Sequence, residues 1–110
     1  METSDACTAF AALGQPTRLA VFRLLVQAGE TGRPAGEIAA ALQLYPNTLS
    51  SHLAVLQAAG LITASRSGRM IRYALDRDST RQLLSWLVTD CCGGRPDLCL
   101  PLPTATSCSC

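Results

Sequence analysis

Cys91, Cys92 and Cys99, in the stretch TDCCGGRPDLC, are the residues of this sequence best equipped for chemistry. Cys91 and Cys92 are adjacent, so their Cα atoms stand about 3.8 Å apart across a trans peptide. A disulfide prefers roughly 4.4–6.8 Å, so a bond between these two would be strained. Two neighbouring thiolates bend more easily toward one external soft atom. Gly93, Gly94 and Pro96 favour a reversal that brings Cys99 back toward the pair. Three sulfurs on one centre match As(III), which is soft and takes three thiolates in a pyramid, whereas zinc normally takes a fourth ligand. Two other readings stay open on these residues alone: incidental cysteines in a polar tail, and a thiol redox switch. Cys108 and Cys110 are further thiols, and there a plain tail is the simpler reading. Cys7 reads as a small buried residue of the first helix.

A second polar group lies in PNTLSSHLAVL. With Leu49 inward and about 100° per residue, Leu53 and Leu56 fall on the same side of a helix. Asn47, Ser50, Ser51 and Ala54 point away, with Thr48 and His52 on the flank. That outward face is small, polar and free of carboxylates. It can enter a DNA major groove without repelling phosphates, although by itself it also fits a short solvated helix. Arg66 and Arg69 follow in SRSGR, and no acidic residue occurs from Ile38 to Leu75. Phosphate or minor-groove contact is therefore favoured for both arginines over simple solvation. His52, the one histidine, reads as a packed or capping residue or a phosphate contact rather than a metal ligand.

The elements that must position these residues are legible. Thr3-Ser4-Asp5 offers a cap for a helix of roughly residues 5–13, ended by Gly14. Pro16 suits the first turn of a second helix with Leu19, Phe22, Leu25 and Val26 on one stripe. EIAAAL forms a short third helix. Pro46 opens the fourth, which Gly60 closes. LITASRSGRMIRYAL reads as two strands around Ser67-Gly68, with Arg66, Arg69 and Arg72 near the turn. Asp76 or Asp78 caps a last helix of roughly residues 77–90, with Leu83, Leu84, Trp86 and Leu87 as its apolar side. The fold class is mainly α with a small β-hairpin, in the order ααααββα of a winged helix-turn-helix. Residues 1–90 form the DNA-binding and dimerisation domain, and residues 91–110 a cysteine-containing tail.

Composition bounds the function. The chain has 110 residues, 48% hydrophobic and 15% charged, which suits one folded domain and leaves apolar surface for an interface. Net charge is only +1, and all nine basic residues are arginine. No run approaches the roughly 18 apolar residues of a membrane span. The start, METSDACTAF, lacks a basic segment followed by an apolar one, so no signal peptide is expected. The expected location is cytoplasmic, where thiols stay reduced. No phosphate loop, HExxH motif or Ser/His/Asp set is present, so an enzyme is not expected.

The run IAAALQLYPNTLSSHLAVLQAAGLITASRSGRMIRYAL resembles the helix-turn-helix and wing of the ArsR/SmtB family of metal-responsive repressors, and GQPTRLAVFRLL is similar to that family's second-helix signature. The resemblance covers roughly residues 10–87. It implies a homodimer built on the first and last helices, with operator DNA as partner and the fourth helix in its major groove. It also implies repression relieved by a toxic metal or metalloid. The Cys-Val-Cys site of the best-known arsenite sensors has no counterpart in GEIAAALQL, and the last helix lacks the histidines of the zinc sensors. The Cys-Cys…Cys set resembles that of an arsenite-responsive branch, which implies As(III), Sb(III) or a methylated As(III) as inducer; cadmium or zinc sensing is the alternative within the family. Tyr45 stands where many members have a helix-capping serine, so Pro46 must set the helix start alone.

Overall fold

The structure is a computed structural model that describes residues 1–91 and Arg95. Five helices and a three-stranded antiparallel sheet follow one another along the chain. Helix α1 spans Thr3–Leu13. Its cap is Glu2, one residue before the expected cluster, and Asp5 closes a capping box by accepting from the Glu2 N–H at 3.1 Å. Ala6, Ala9 and Ala12 form its buried face, and these small side chains let α1 lie close to the helices beneath it.

Helix α2 spans Pro16–Ala28, with Pro16 in its first turn and the Gln15 side chain accepting from the Arg18 N–H. Its buried residues are Val21 and Leu25. The expected stripe is corrected here: Leu19 and Val26 are 42% and 41% exposed. They lie about 100–120° around the helix from Leu25, too far to share its inward direction. A single 3₁₀ turn, Gly29–Thr31, leads into strand β1, Arg33–Pro34.

Helix α3 spans Ala35–Leu42 and α4 spans Pro46–Ala58. Between them Gln43 adopts a left-handed backbone (φ 54°) that ends α3, and three residues suffice for the turn. Ile38, Leu49, Leu53 and Leu56 face the core and meet Leu25, Val21, Leu61 and Ile62 there. No polar side chain is buried among the described residues. Burial of such aliphatic side chains stabilises by about 1.5–3 kcal/mol each.

Strands β2 (Ile62–Ser67) and β3 (Met70–Leu75) pair in register from Ile62 opposite Leu75 to Ser67 opposite Met70. The turn is therefore Gly68-Arg69, one residue beyond the expected centre, and Gly68 (φ 64°) supplies the positive φ that a two-residue hairpin loop needs first. Strand β1 adds to the other side of β3, giving the order β1-β3-β2. Two residues carry no alternation to read in sequence, and Pro34 is tolerated because β1 is an edge.

Helix α5 covers Arg77–Trp86, with Asp76 as its cap, and the chain then widens into a π-type turn over Leu87–Cys91. The α-helix is thus shorter than the expected span to residue 90. Only Leu83 of the expected apolar side is buried; Trp86 is half-buried, and Leu84 and Leu87 are 53% and 36% exposed.

Candidate nucleic-acid interface

Helix α4 divides cleanly. Leu49, Leu53 and Leu56 anchor it, while Asn47, Thr48, Ser50 and Ser51 are exposed and His52 is half-buried on the flank. The Ser51 hydroxyl donates to the Asn47 carbonyl at 3.3 Å, which leaves its oxygen open as an acceptor. No side chain caps the start of α4. Its first-turn amides therefore have no intrahelical partner, and they sit at the positive end of the helix dipole. Tyr45, at that N-cap position, is 82% exposed.

The hairpin stands beside this helix. Arg66 lies on β2 and Arg69 in the turn, both exposed and without a hydrogen bond or ion pair among the described residues. Their charges are available to an outside partner. Arg72 differs from them. It lies within β3 and donates through Nε to the Thr31 carbonyl (3.1 Å) and through Nη2 to the Gly32 carbonyl (3.4 Å). It fastens the α2–β1 turn to the hairpin. Arg77 does the same from α5, by an ion pair with Glu30.

Two roles had no sequence signal. Arg72 resembled its neighbours in sequence and separates from them only by its hydrogen bonds. Arg18, in the first turn of α2, reaches both α1 and His52 of α4. A contact spanning 34 residues leaves no periodic trace.

The thiol set falls at the limit of the described residues. Cys91 ends the π-type turn after α5, and Cys92, Cys99, Cys108 and Cys110 lie outside the described residues. Cys7 is an exposed free cysteine on α1, not the buried residue expected. Among the described residues there is no group of three metal-ligating side chains.

Comparison with known proteins fits this geometry. A helix-turn-helix domain family model matches residues 13–63. The transcriptional repressor SdpR of Bacillus subtilis is 30% identical over 89 residues, which are 81% of this chain and 96% of SdpR. The repressor SmtB of Mycobacterium tuberculosis is 39% identical over 64 residues, 58% of this chain. The chain belongs to the ArsR/SmtB family of winged helix-turn-helix regulators. It spans about half the length of SmtB, with 45% of that repressor covered. The homodimeric winged helix-turn-helix DNA-binding domain of Mb0332 from Mycobacterium bovis, described as a possible ArsR-family regulator, superposes with a TM-score of 0.65 at 29% identity, covering 79% of this chain and 80% of that one. These relatives are transcription regulators, not enzymes. As in an ArsR/SmtB protein, α3 and α4 form the helix-turn-helix here, and β2 and β3 the wing. No described helix is long and apolar enough to cross a membrane.

Proposed function

We propose that this ArsR/SmtB protein is a cytoplasmic, homodimeric transcription repressor that binds operator DNA and is released when As(III) binds the thiolates of Cys91, Cys92 and Cys99. The observation that carries the DNA reading is the pairing of an outward α4 face free of carboxylates with a wing whose Arg66 and Arg69 have no partner among the described residues. In this reading Asn47, Thr48, Ser50 and Ser51 reach base edges or sugar-phosphate, and His52, Arg66 and Arg69 hold phosphates. Dimerisation is supported by the apolar surface of α1, α5 and the turn that follows it, where Phe10, Leu84 and Leu87 are exposed, and by the homodimeric state of the M. bovis neighbour. Two reading helices one DNA turn apart, about 34–36 Å, would match a two-fold operator.

The inducer follows from the donor set. Of the five thiols after α5, Cys91, Cys92 and Cys99 make a set of three, and with no imidazole in or after α5 that set suits a soft, three-coordinate ion such as As(III) better than zinc. Sb(III) and a methylated As(III), which needs only two thiolates, share that chemistry. Cys91 is contiguous with α5, so a constraint placed on it is delivered to the helix that builds the dimer face. Release requires only that the ligand favour the non-binding arrangement, and about 1–3 kcal/mol of coupling is typical.

The test is release from a duplex selected out of a randomised DNA pool by the wild-type protein. Arsenite, methylarsenite, antimonite, Cd(II), Zn(II) and peroxide are titrated in parallel. Arsenite is expected to act at the lowest concentration, and Cys91→Ser and Cys92→Ser are expected to abolish its effect. Undiminished release of either variant sinks the site assignment. Release by peroxide alone would move the reading to a redox sensor.

A further inference from the structure

Arg18 belongs to α2 by sequence but acts on two other helices. Its Nε donates to the Ala12 carbonyl, in the last turn of α1, at 2.6 Å. Its Nη1 lies 3.4 Å from Nδ1 of His52 on α4. Its own backbone amide is held at 2.8 Å by the Gln15 side chain. The guanidinium is thus fixed at both ends of its reach, and Arg18 and His52 are both half-buried.

A guanidinium has donors and no acceptor. At this contact His52 Nδ1 must therefore accept, and the ring proton resides on Nε2. That N–H is left as a single directed donor on the flank of the exposed Asn47–Ser51 face. Among the described residues no carboxylate forms an ion pair with Arg18, whose charge stands next to that donor.

We infer that Arg18 is a positioning residue for DNA binding: anchored on the Ala12 carbonyl, it holds His52 in one tautomer and one orientation so that Nε2–H meets a backbone phosphate. The inference rests on the reading of α4 as the DNA-contacting helix. Phosphate contacts fix the register of a protein on its duplex, so a rigid donor at the flank of α4 sets how deeply Asn47 and Ser51 enter the groove.

The experiment uses the full chain, the selected duplex described above and fluorescence anisotropy across a salt series. The variants are Arg18→Met, Arg18→Lys, His52→Ala, the Arg18→Met/His52→Ala double variant, and Asn47→Ala. Arg18→Met and His52→Ala are each expected to weaken binding about tenfold; the His52 donor is a neutral N–H that releases no counterion, so His52→Ala is expected to leave the log–log salt slope unchanged. The double variant is expected to bind about as well as His52→Ala alone. Ring ¹⁵N shifts are expected to show one Nε2–H tautomer in the wild type and a mixture in Arg18→Met. Arg18→Lys, which keeps a charged donor, is expected to recover part of the loss, and it carries the test should the Met variant fail to fold. An unchanged tautomer on loss of Arg18, or a double variant weakened by the product of the two single effects, overturns the inference. Normal binding by Arg18→Met with weakened binding by Asn47→Ala overturns the positioning role alone. Normal binding by all variants overturns it together with the reading of α4.

Discussion

The rings of Phe10 and Trp86 meet with centroids 6.4 Å apart and planes tilted by 59°, joining α1 to α5 across the edge of the core. Such tilted pairs contribute about 0.5–1.5 kcal/mol beyond the area they bury. Phe10 nevertheless stays 39% exposed, and Leu84, on the opposite flank of α5 from Trp86, is 53% exposed. Leu84 and Leu87 are three residues apart, so they share an apolar surface that is open to solvent. Leu84→Glu places a charge on that surface without touching the core. It is expected to convert the dimer to a folded monomer in sedimentation equilibrium, and to weaken DNA binding by removing the second reading helix. A Leu84→Glu protein that remains dimeric would place the interface elsewhere.

Arg66 and Arg69 have no partner among the described residues, whereas Arg72 donates to the Thr31 and Gly32 carbonyls. The three arginines should therefore separate by experiment. Arg66→Ala and Arg69→Ala are expected to leave stability within about 0.5 kcal/mol of wild type. Each should lower the log–log salt slope of DNA binding by about 0.9. Arg72→Ala is expected to behave in the opposite way, destabilising by about 1–3 kcal/mol in urea with its salt slope intact. Equal behaviour of all three contradicts the division.

Gly29 and Gly32 flank the 3₁₀ turn with nearly the same backbone, φ 72° with ψ −155° and φ 66° with ψ −156°. That region is essentially reserved for glycine, so alanine at either position costs about 1–3 kcal/mol. Their surroundings differ. A Cβ at Gly29 meets nothing within 4 Å, whereas one at Gly32 falls 2.1 Å from the Tyr73 carbonyl oxygen. Gly32→Ala is therefore expected to lower the urea midpoint well beyond Gly29→Ala, because it pushes β3 away from the turn that Arg72 secures. Equal midpoints would mean that the turn is not packed on Tyr73.

Much of this architecture is legible in the sequence because it follows from local chemistry. Leu49, Leu53 and Leu56 recur at helical spacing, Pro16 and Pro46 mark helix starts, and Ser67-Gly68 marks the hairpin to within a residue. The misplaced features depend on contacts between distant elements. Leu19 and Val26 are as apolar as Leu25, and the placement of the elements packed on α2 decides which of them is covered. Strand β1 exists because Arg33 and Pro34 meet Tyr73 and Arg72, nearly forty residues later. The outward residues of α4 were readable from their lack of carboxylates. The link from Arg18 to His52 was not, since hydrogen bonds between helices impose no spacing on the sequence.

Tyr45 occupies the N-cap of α4 with an extended backbone (φ −71°, ψ 144°) but offers no oxygen within reach of the first turn, and no side-chain cap is formed. Its ring is 82% exposed, so replacing it removes little packing. Serine on the same backbone accepts from an amide two or three residues ahead, and such caps stabilise by about 0.5–2 kcal/mol. Tyr45→Ser is therefore expected to raise stability by roughly 1 kcal/mol, read as a higher urea midpoint at constant m-value. The same change satisfies an amide that the wild-type helix leaves open toward a phosphate. DNA affinity is accordingly expected to fall or hold while stability rises. A lower midpoint for Tyr45→Ser would show that the tyrosine ring, despite its exposure, contributes to holding the start of the reading helix.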